Sequence, residues 1–144
     1  MSTETNKAIV RRYYEEVHAG RDWDLIDELV AADYKEHNPL PGQGPGRAGV
    51  KERDRSLAEN LDLRFTVEDL IAEGDKVVVR WRNRGTHMGE FLGIPATGKE
   101  FSIEGINIYR IEGAKLAEGW NVADVFGQLL QLGVIPTPAV AATA

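Results

Sequence analysis

The chain contains no cysteine among its 144 residues. This excludes disulfides, thiolate metal ligands and a cysteine nucleophile, and it fits a reducing compartment. The sequence also lacks an apolar run near the about 18 residues that a membrane helix needs, and no charged and then apolar signal segment opens it. These absences predict a cytoplasmic protein that does not enter a membrane.

A basic patch is missing as well. The formal net charge is −6, and Arg and Lys occur only in short runs near Glu or Asp, such as the arginines at positions 80, 82 and 84, rather than in the extended basic and aromatic surface that binds nucleic acid. A polyanionic partner would meet a repulsive overall field. We therefore expect no nucleic-acid partner, and we interpret the arginine face as a solvated surface or the rim of a dimer.

The motifs of metal and cofactor chemistry are absent too. The three histidines lack HxH or HExxH spacing, and the glycine-rich stretch near Gly42 is not followed by a Lys-Ser or Lys-Thr pair. No serine-centred nucleophile elbow is present. The sequence predicts no metal and no cofactor, so any catalysis would be acid–base work by side chains.

The composition is that of a globular protein, with 42% hydrophobic and 28% charged residues. A chain of this length predicts one domain over residues 1–144, with a Pro/Ala-rich tail at 136–144 that we expect to be frayed.

Helical spacing marks the first part of the chain. It predicts a helix from Thr5 to Gly20, a short second helix from about Asp22 to Val30, and a third from Gly49 to Leu61. Between the second and third helices, the residues from Ala32 to Gly49 predict a long Pro/Gly loop of the kind that is often functional.

Strand patterns follow. Four segments alternate between apolar and polar residues, and short turns at Gly74–Asp75 and Glu112–Gly113 separate two pairs of them. A helical turn from Phe126 to Leu132 comes last. Helices followed by antiparallel strands predict an α+β fold. The predicted strands are Leu63–Ala72, Lys76–Thr86, Phe101–Ile111 and Lys115–Val122.

Alternation assigns an inward face to these strands. It places Trp81 and Asn83 inward on one strand, Asn107 and Tyr109 on the next, and Asn121 on the last, where Leu116, Trp120 and Val122 compete for the interior. Three asparagines on an apolar face need partners. Either they bond to one another and to the backbone, or they bind the polar atoms of a ligand in an apolar pocket.

Three titratable residues are candidates for proton transfer. His37, near Tyr34 in the Pro/Gly region, and His87, at a strand end, are the histidines that we expect at the pocket rim. Each could instead be a surface or turn-stabilising residue. Asp124 could be a carboxylate at the pocket mouth or the N-cap of the last helical turn.

Several segments together resemble a known family. They are THMGEFLGIPATGKEF from Thr86 to Phe101, the strand EGINIYRI, the ending EGWNVADVFGQLLQLGVIP and the opening AIVRRYYEEVHAGRDWDLIDELVAADYKEHNP. This combination, which covers nearly the whole chain, resembles the SnoaL-like polyketide cyclases.

The resemblance implies a cone-shaped, curved antiparallel sheet closed by N-terminal helices, the NTF2-like α+β barrel, as a homodimer or homotetramer. It implies a small apolar or aromatic polyketide-like ligand and a cofactor-free aldol ring closure, in which a carboxylic acid on the last strand exchanges the proton. Here that position is Asn121, and the position of an assisting histidine is Asn107. An amide cannot exchange a proton near neutral pH, so that mechanism does not transfer whole.

The positions that still match are His87, Asp124 and Trp120. Three hypotheses follow. The chain could be a cyclase-type enzyme with Asp124, His87 or His37 as the titrating group, a small-ligand-binding module without catalysis, or a cofactor-independent polyketide hydroxylase. In each case Asn83, Asn107 and Asn121, with Trp81, Tyr109, Trp120 and Tyr34, would contact the ligand.

Overall fold

A five-stranded sheet with helices packed on one face forms the framework of the protein. The computed structural model describes residues 2–139. Its helices are α1 Thr3–Arg12, which continues as a π-helical turn Tyr13–Ala19, a 3-10 turn Trp23–Leu25, α2 Ile26–Leu29, α3 Gly46–Leu61 and α4 Val125–Gln131. Its strands are β1 Val30–Glu36, β2 Arg64–Glu73, β3 Lys76–Thr86, β4 Glu100–Glu112 and β5 Lys115–Ala123.

The strand order is β1-β5-β4-β3-β2. The α+β class is confirmed, and β2 to β5 are antiparallel as predicted. The sheet is open, with β1 and β2 at its edges, so helices rather than strand pairing cover the concave face. A closed barrel is therefore not formed.

Strand β1 was predicted as part of a helix and a loop. It pairs in parallel with β5, and its register shifts between Val30 and Lys35. Its two fully buried residues, Val30 and Tyr34, are four positions apart. This spacing is typical of a helix rather than a strand, so the alternation that would have identified a strand is missing.

The first helix changes its geometry at Tyr13. Residues five apart in an α-helix point about 140° away from each other. In the π-helical turn the rings of Tyr13 and His18 are instead stacked edge to face, with centroids 5.0 Å apart. The wider turn thus points both side chains to the same side, toward the sheet.

The predicted register of β3 and β4 is confirmed. Val77, Val79, Trp81 and Asn83 are buried on β3, and Phe101, Ile103, Gly105 and Tyr109 on β4. Trp81 lies directly opposite Gly105. A Cβ added at Gly105 would overlap the Trp81 ring, so the glycine makes room for the indole.

A bulge explains the competing residues on β5. Ile111 pairs with Leu116 and Arg110 with Glu118, which leaves Ala117 as an extra residue. The bulge turns both Leu116 and Asn121 toward the interior. It leaves Val122 exposed, next to Ile106 on the outer face.

The outer face carries charge pairs beside these apolar residues. Arg80 bonds to Asp69 at 2.7 Å, and Arg82 bonds to Glu104 at 2.8 Å. No helix within residues 2–139 is long and apolar enough to cross a membrane. Of the predicted frayed tail, residues 140–144 lie outside the described part.

Candidate active site

A cavity of about 130 Å³ lies between the inward face of the sheet and the helices. Aromatic rings form much of its wall, with Tyr13 and Tyr14 from the π-helical turn, Phe65 from β2, Trp81 from β3 and Phe91 from the loop between β3 and β4. All three predicted asparagines also line it. The cavity is therefore largely apolar with a few polar groups, as ligand sites usually are.

Asn107 is fully engaged with its neighbours. Its side-chain oxygen accepts a hydrogen bond from the Trp81 indole at 2.8 Å, and its amide donates to the Tyr109 hydroxyl at 2.9 Å. The Tyr109 hydroxyl in turn lies 2.9 Å from that of Tyr14. Burial raises the pKa of both tyrosines above the usual range, so both hydroxyl groups stay protonated and neutral.

Asn121 ties β5 to the preceding loop. Its side-chain amide donates to Glu36 at 2.9 Å and to the Asn38 carbonyl at 3.2 Å. Its backbone N–H donates to the Asn38 side chain at 3.0 Å. For Asn107 and Asn121 the amides are thus satisfied largely within the protein.

Asn83 differs from the other two asparagines. It is only 6% exposed, its side-chain oxygen has no partner, and no hydrogen bond within residues 2–139 engages its amide. Gln128, on α4, lines the same cavity, is 3% exposed and likewise lacks a side-chain partner in the described chain. A buried oxygen without a partner is costly, so Asn83 is suited to a ligand, and Gln128 adds a second amide to the same cavity wall.

A buried ionic cluster lies at one side of the cavity. Arg53 donates to Asp54 and to Glu36, at 3.0 and 2.9 Å, and its third contact is the Tyr13 hydroxyl at 3.3 Å. Tyr13 donates to Asp54. Burial lowers the pKa of Arg53, but the facing carboxylates outweigh it and raise that pKa overall. Two carboxylates around one guanidinium leave the cluster a formal charge of −1.

His18 lies beside this cluster. It is 8% exposed, lines the cavity and has no hydrogen bond to the described residues, while its Nε2 lies 3.5 Å from Asp54 Oδ2. Burial lowers the pKa of His18 below its ordinary value of 6.5, and Arg53 and Arg21 lower it further, against the opposing effect of Asp54. The imidazole is therefore neutral near neutral pH.

The histidines predicted at the pocket rim do not line the cavity. His37 stacks on Trp120, with ring centroids 4.4 Å apart, and bonds to Glu118 at 2.7 Å. His87 is fully buried under its own loop, where its Nδ1 accepts the Thr97 N–H at 3.2 Å. The prediction that His37 and His87 alone could lie at the rim is corrected, because His18 is the histidine in the cavity.

Three further predicted residues also lie outside the cavity lining. Asp124 is the N-cap of α4 and accepts the Gly127 N–H at 2.9 Å. Trp120 is on the outer face with His37, and Tyr34 is buried with its hydroxyl 3.4 Å from Glu36. A catalytic role for Asp124, His37 or His87 stays a prediction, while each has a structural contact that accounts for its position.

Sequence reasoning missed His18, Arg53, Asp54 and Gln128. Two of them carried a signal. His18 falls four residues after Tyr14 on the apolar stripe of the first helix, and Asp54 falls between Val50 and Leu61 on the buried stripe of α3. A polar residue at a core position indicates a site or a buried network. Within residues 2–139, no group of three or more acidic or histidine side chains is placed to hold a metal ion.

Comparison with known proteins places the chain in one family. A family model described as SnoaL-like polyketide cyclase matches residues 8–132. The chain is 33% identical over 147 residues to aklanonic acid methyl ester cyclase DnrD of Streptomyces peucetius, covering 96% of this chain and 97% of that protein. It is 32% identical over 139 residues to aklanonic acid methyl ester cyclase DauD of Streptomyces sp. (strain C5), covering 90% and 83%. The structure of TsrD from Streptomyces laurentii matches with a TM-score of 0.84 at 31% identity, covering 94% of this chain and 99% of that one. The chain therefore belongs to the SnoaL-like polyketide cyclase family.

Proposed function

We propose that the protein is an enzyme that closes a carbocyclic ring in a polyketide-like substrate by an intramolecular aldol reaction. The names of DnrD and DauD describe cyclases of aklanonic acid methyl ester, which supports this reaction class. The aromatic cavity suits a small apolar substrate with a few oxygen atoms.

The observation that carries the proposal is a neutral, unbonded His18 inside the cavity, next to Asp54. The carboxylate beside Nε2 favours the tautomer with its proton on that nitrogen, which leaves the Nδ1 lone pair as a base. His18 thus replaces the carboxylic acid that the resemblance would have required at position 121.

The ionic cluster supports this base. Proton uptake makes His18 an imidazolium, and the cluster of Glu36, Arg53 and Asp54 offers it one net negative charge. Because these groups are fixed by their mutual hydrogen bonds, they need little reorganisation when the charge develops.

The reaction balances with these residues alone. His18 takes the proton from a carbon flanked by carbonyl groups, and the enolate carbon forms a bond to another carbonyl carbon of the same molecule. The alkoxide that results takes the proton back from the imidazolium. The Nδ2 of Asn83 and the Nε2 of Gln128, which line the cavity and make no hydrogen bond within residues 2–139, donate to the enolate and alkoxide oxygens.

Replacement of His18 by Gln tests the proposal with aklanonic acid methyl ester as substrate. We expect kcat to fall by about 10²–10⁴-fold with KM nearly unchanged, because a positioned base typically contributes that much. In the wild-type protein, kcat/KM should fall as the pH drops through the lowered pKa of His18.

The matched control is His37→Gln, which removes a histidine outside the cavity lining and should retain turnover. Full activity of His18→Gln would contradict the assignment of the base. Binding of the ester by the wild-type protein without any product would favour a ligand-binding module instead.

A further inference from the structure

A second pocket adjoins the central cavity and has no role in the reaction proposed above. Its volume is about 160 Å³, and it lies between loop residues 40–44 and residues 49–57 of α3. We call it the loop pocket. Its polar side chains are Gln43, Glu52, Arg53 and Ser56.

The two spaces share a wall. Leu40, Arg53 and Leu57 line both the cavity and the loop pocket. An enclosed volume of about 150 Å³ holds a benzene molecule, whereas sites for larger ligands span about 300–1,000 Å³. Each space alone, at about 130 and 160 Å³, is thus the size of one ring, and together they approach the lower bound for a larger ligand.

The shared wall includes a residue on a self-contained turn. Leu40 to Gln43 form a type II turn, with Pro41 and Gly42 as the central residues and a φ of +81° at Gly42. Gln43 N–H donates to the Leu40 carbonyl at 3.0 Å, and Leu40 N–H donates to the Gln43 side chain at 3.1 Å. Within the described chain, these turn residues hydrogen-bond only to one another.

Glycines follow this turn. Gly44 comes directly after it. Gly46 has a φ of +68°, a left-handed conformation that residues with a side chain rarely adopt. Within the described chain no hydrogen bond ties the turn to the sheet or to α3, so a shift of the turn would break none. Such a shift would move Leu40 and join the two spaces.

We propose that the cavity and the loop pocket are two subsites of one substrate site, separated by Leu40. The reacting ring occupies the cavity, and an uncharged chain bearing hydroxyl or carbonyl groups occupies the loop pocket. Glu52 would repel an anionic chain, and the Arg53 guanidinium is already held by Glu36 and Asp54. This inference rests on the proposed function, since it assigns the same site a longer substrate.

Two ketones test the proposal. Acetophenone fills one subsite, and the same phenyl ketone with an ω-hydroxypentyl chain in place of its methyl group spans both. We expect NMR titration to give at least about tenfold tighter binding of the chain-bearing ketone to the wild-type protein, because the chain buries several methylene groups.

Ser56→Phe fills the loop pocket. It should abolish that gain while the Kd of acetophenone stays within about twofold, since a phenyl group occupies the space of the chain. The matched control is Glu59→Phe, an exposed position on the same helix outside both linings, which should retain the gain. Intermolecular NOEs between the chain methylenes and Pro41 in the wild-type protein provide a measurement that requires no variant.

The proposal is overturned if the chain adds no affinity, if Ser56→Phe retains the gain, or if the chain methylenes show no NOE to Pro41. These measurements do not involve turnover. A failure of the His18 assignment would appear in kinetics and leave the ketone titrations unchanged, so the two proposals fail separately.

Discussion

The fit between Gly105 and Trp81 can be tested with a single methyl group. In Gly105→Ala the added Cβ would overlap the indole, so Trp81 must shift and weaken its hydrogen bond to Asn107. We expect a loss of about 1–3 kcal/mol in the free energy of unfolding, as for overpacked cores. Urea denaturation and the tryptophan emission maximum would measure the two effects.

Gly44→Ala is the control for this change. A Cβ there would have its nearest neighbour 3.8 Å away, which is ordinary contact, and the loss of a glycine slightly stabilises a compatible site. Equal destabilisation by both substitutions would show that the Trp81 contact is not the cause.

Single residues were predictable where the period of a strand positions them. Asn83 and Asn107 followed from alternation on β3 and β4, whose register has no interruption. His18 did not follow, because its orientation depends on a π-helical turn that the 3.6-residue period does not describe. Asn107 has hydrogen-bond partners and Asn83 has none among the described residues. This difference depends on tertiary contacts, which no local sequence pattern records.

At the scale of an element, α4 depends on its cap. Asp124→Ala removes the acceptor for Gly127 N–H and should cost about 0.5–2 kcal/mol of stability, whereas Asp124→Asn keeps an acceptor and should cost little. Thermal unfolding of both variants measures this difference.

The same pair separates capping from catalysis. If Asp124 only caps α4, Asp124→Asn should turn over the ester at nearly the wild-type rate. A large loss of kcat in a stable Asp124→Asn variant would instead support the prediction that this carboxylate exchanges a proton.

Elements with clean periods were predictable, and β3 has the predicted limits. Strand β1 was not, since its buried residues are four apart and its partner β5 comes more than eighty residues later. Such a parallel pairing at the sheet edge depends on the tertiary position of β5 and not on the local sequence of β1.

For the whole molecule, the pH dependence of stability should report on buried His18. Its pKa is lowered in the folded state, so the unfolded chain binds more protons below the ordinary value of 6.5. The free energy of unfolding should therefore decrease as the pH falls below about 6.5. Chemical denaturation at several pH values between about 7.5 and about 5 measures this decrease in the free energy of unfolding.

His18→Gln should flatten this decrease, because glutamine does not titrate. His37→Gln is again the matched control, since it removes a histidine that is hydrogen-bonded to Glu118 outside the cavity. An unchanged slope in His18→Gln would mean that His18 binds a proton equally well in both states.

At this scale the sequence predicted the α+β class, because helices preceding a set of hairpin-linked strands leave few arrangements. The family was predicted from the resemblance of its segments to known members, not from the order of its elements. The sequence could not predict that the sheet stays open, which depends on how β1 docks. A homodimer or homotetramer remains a prediction. The exposed pair of Ile106 and Val122 lies on the outer face of the sheet, and substitutions at this pair are the first test of the oligomeric state.

The unpartnered groups of the cavity come from distant parts of the chain. His18 belongs to the first helical segment, Asn83 to the middle of the sheet and Gln128 to the final helix. A ligand that contacts all three side chains would therefore link the first helical segment, the sheet and the final helix. Loading the site should then slow amide exchange in the π-helical turn and in α4 together, because a ligand that binds only the folded state stabilises both.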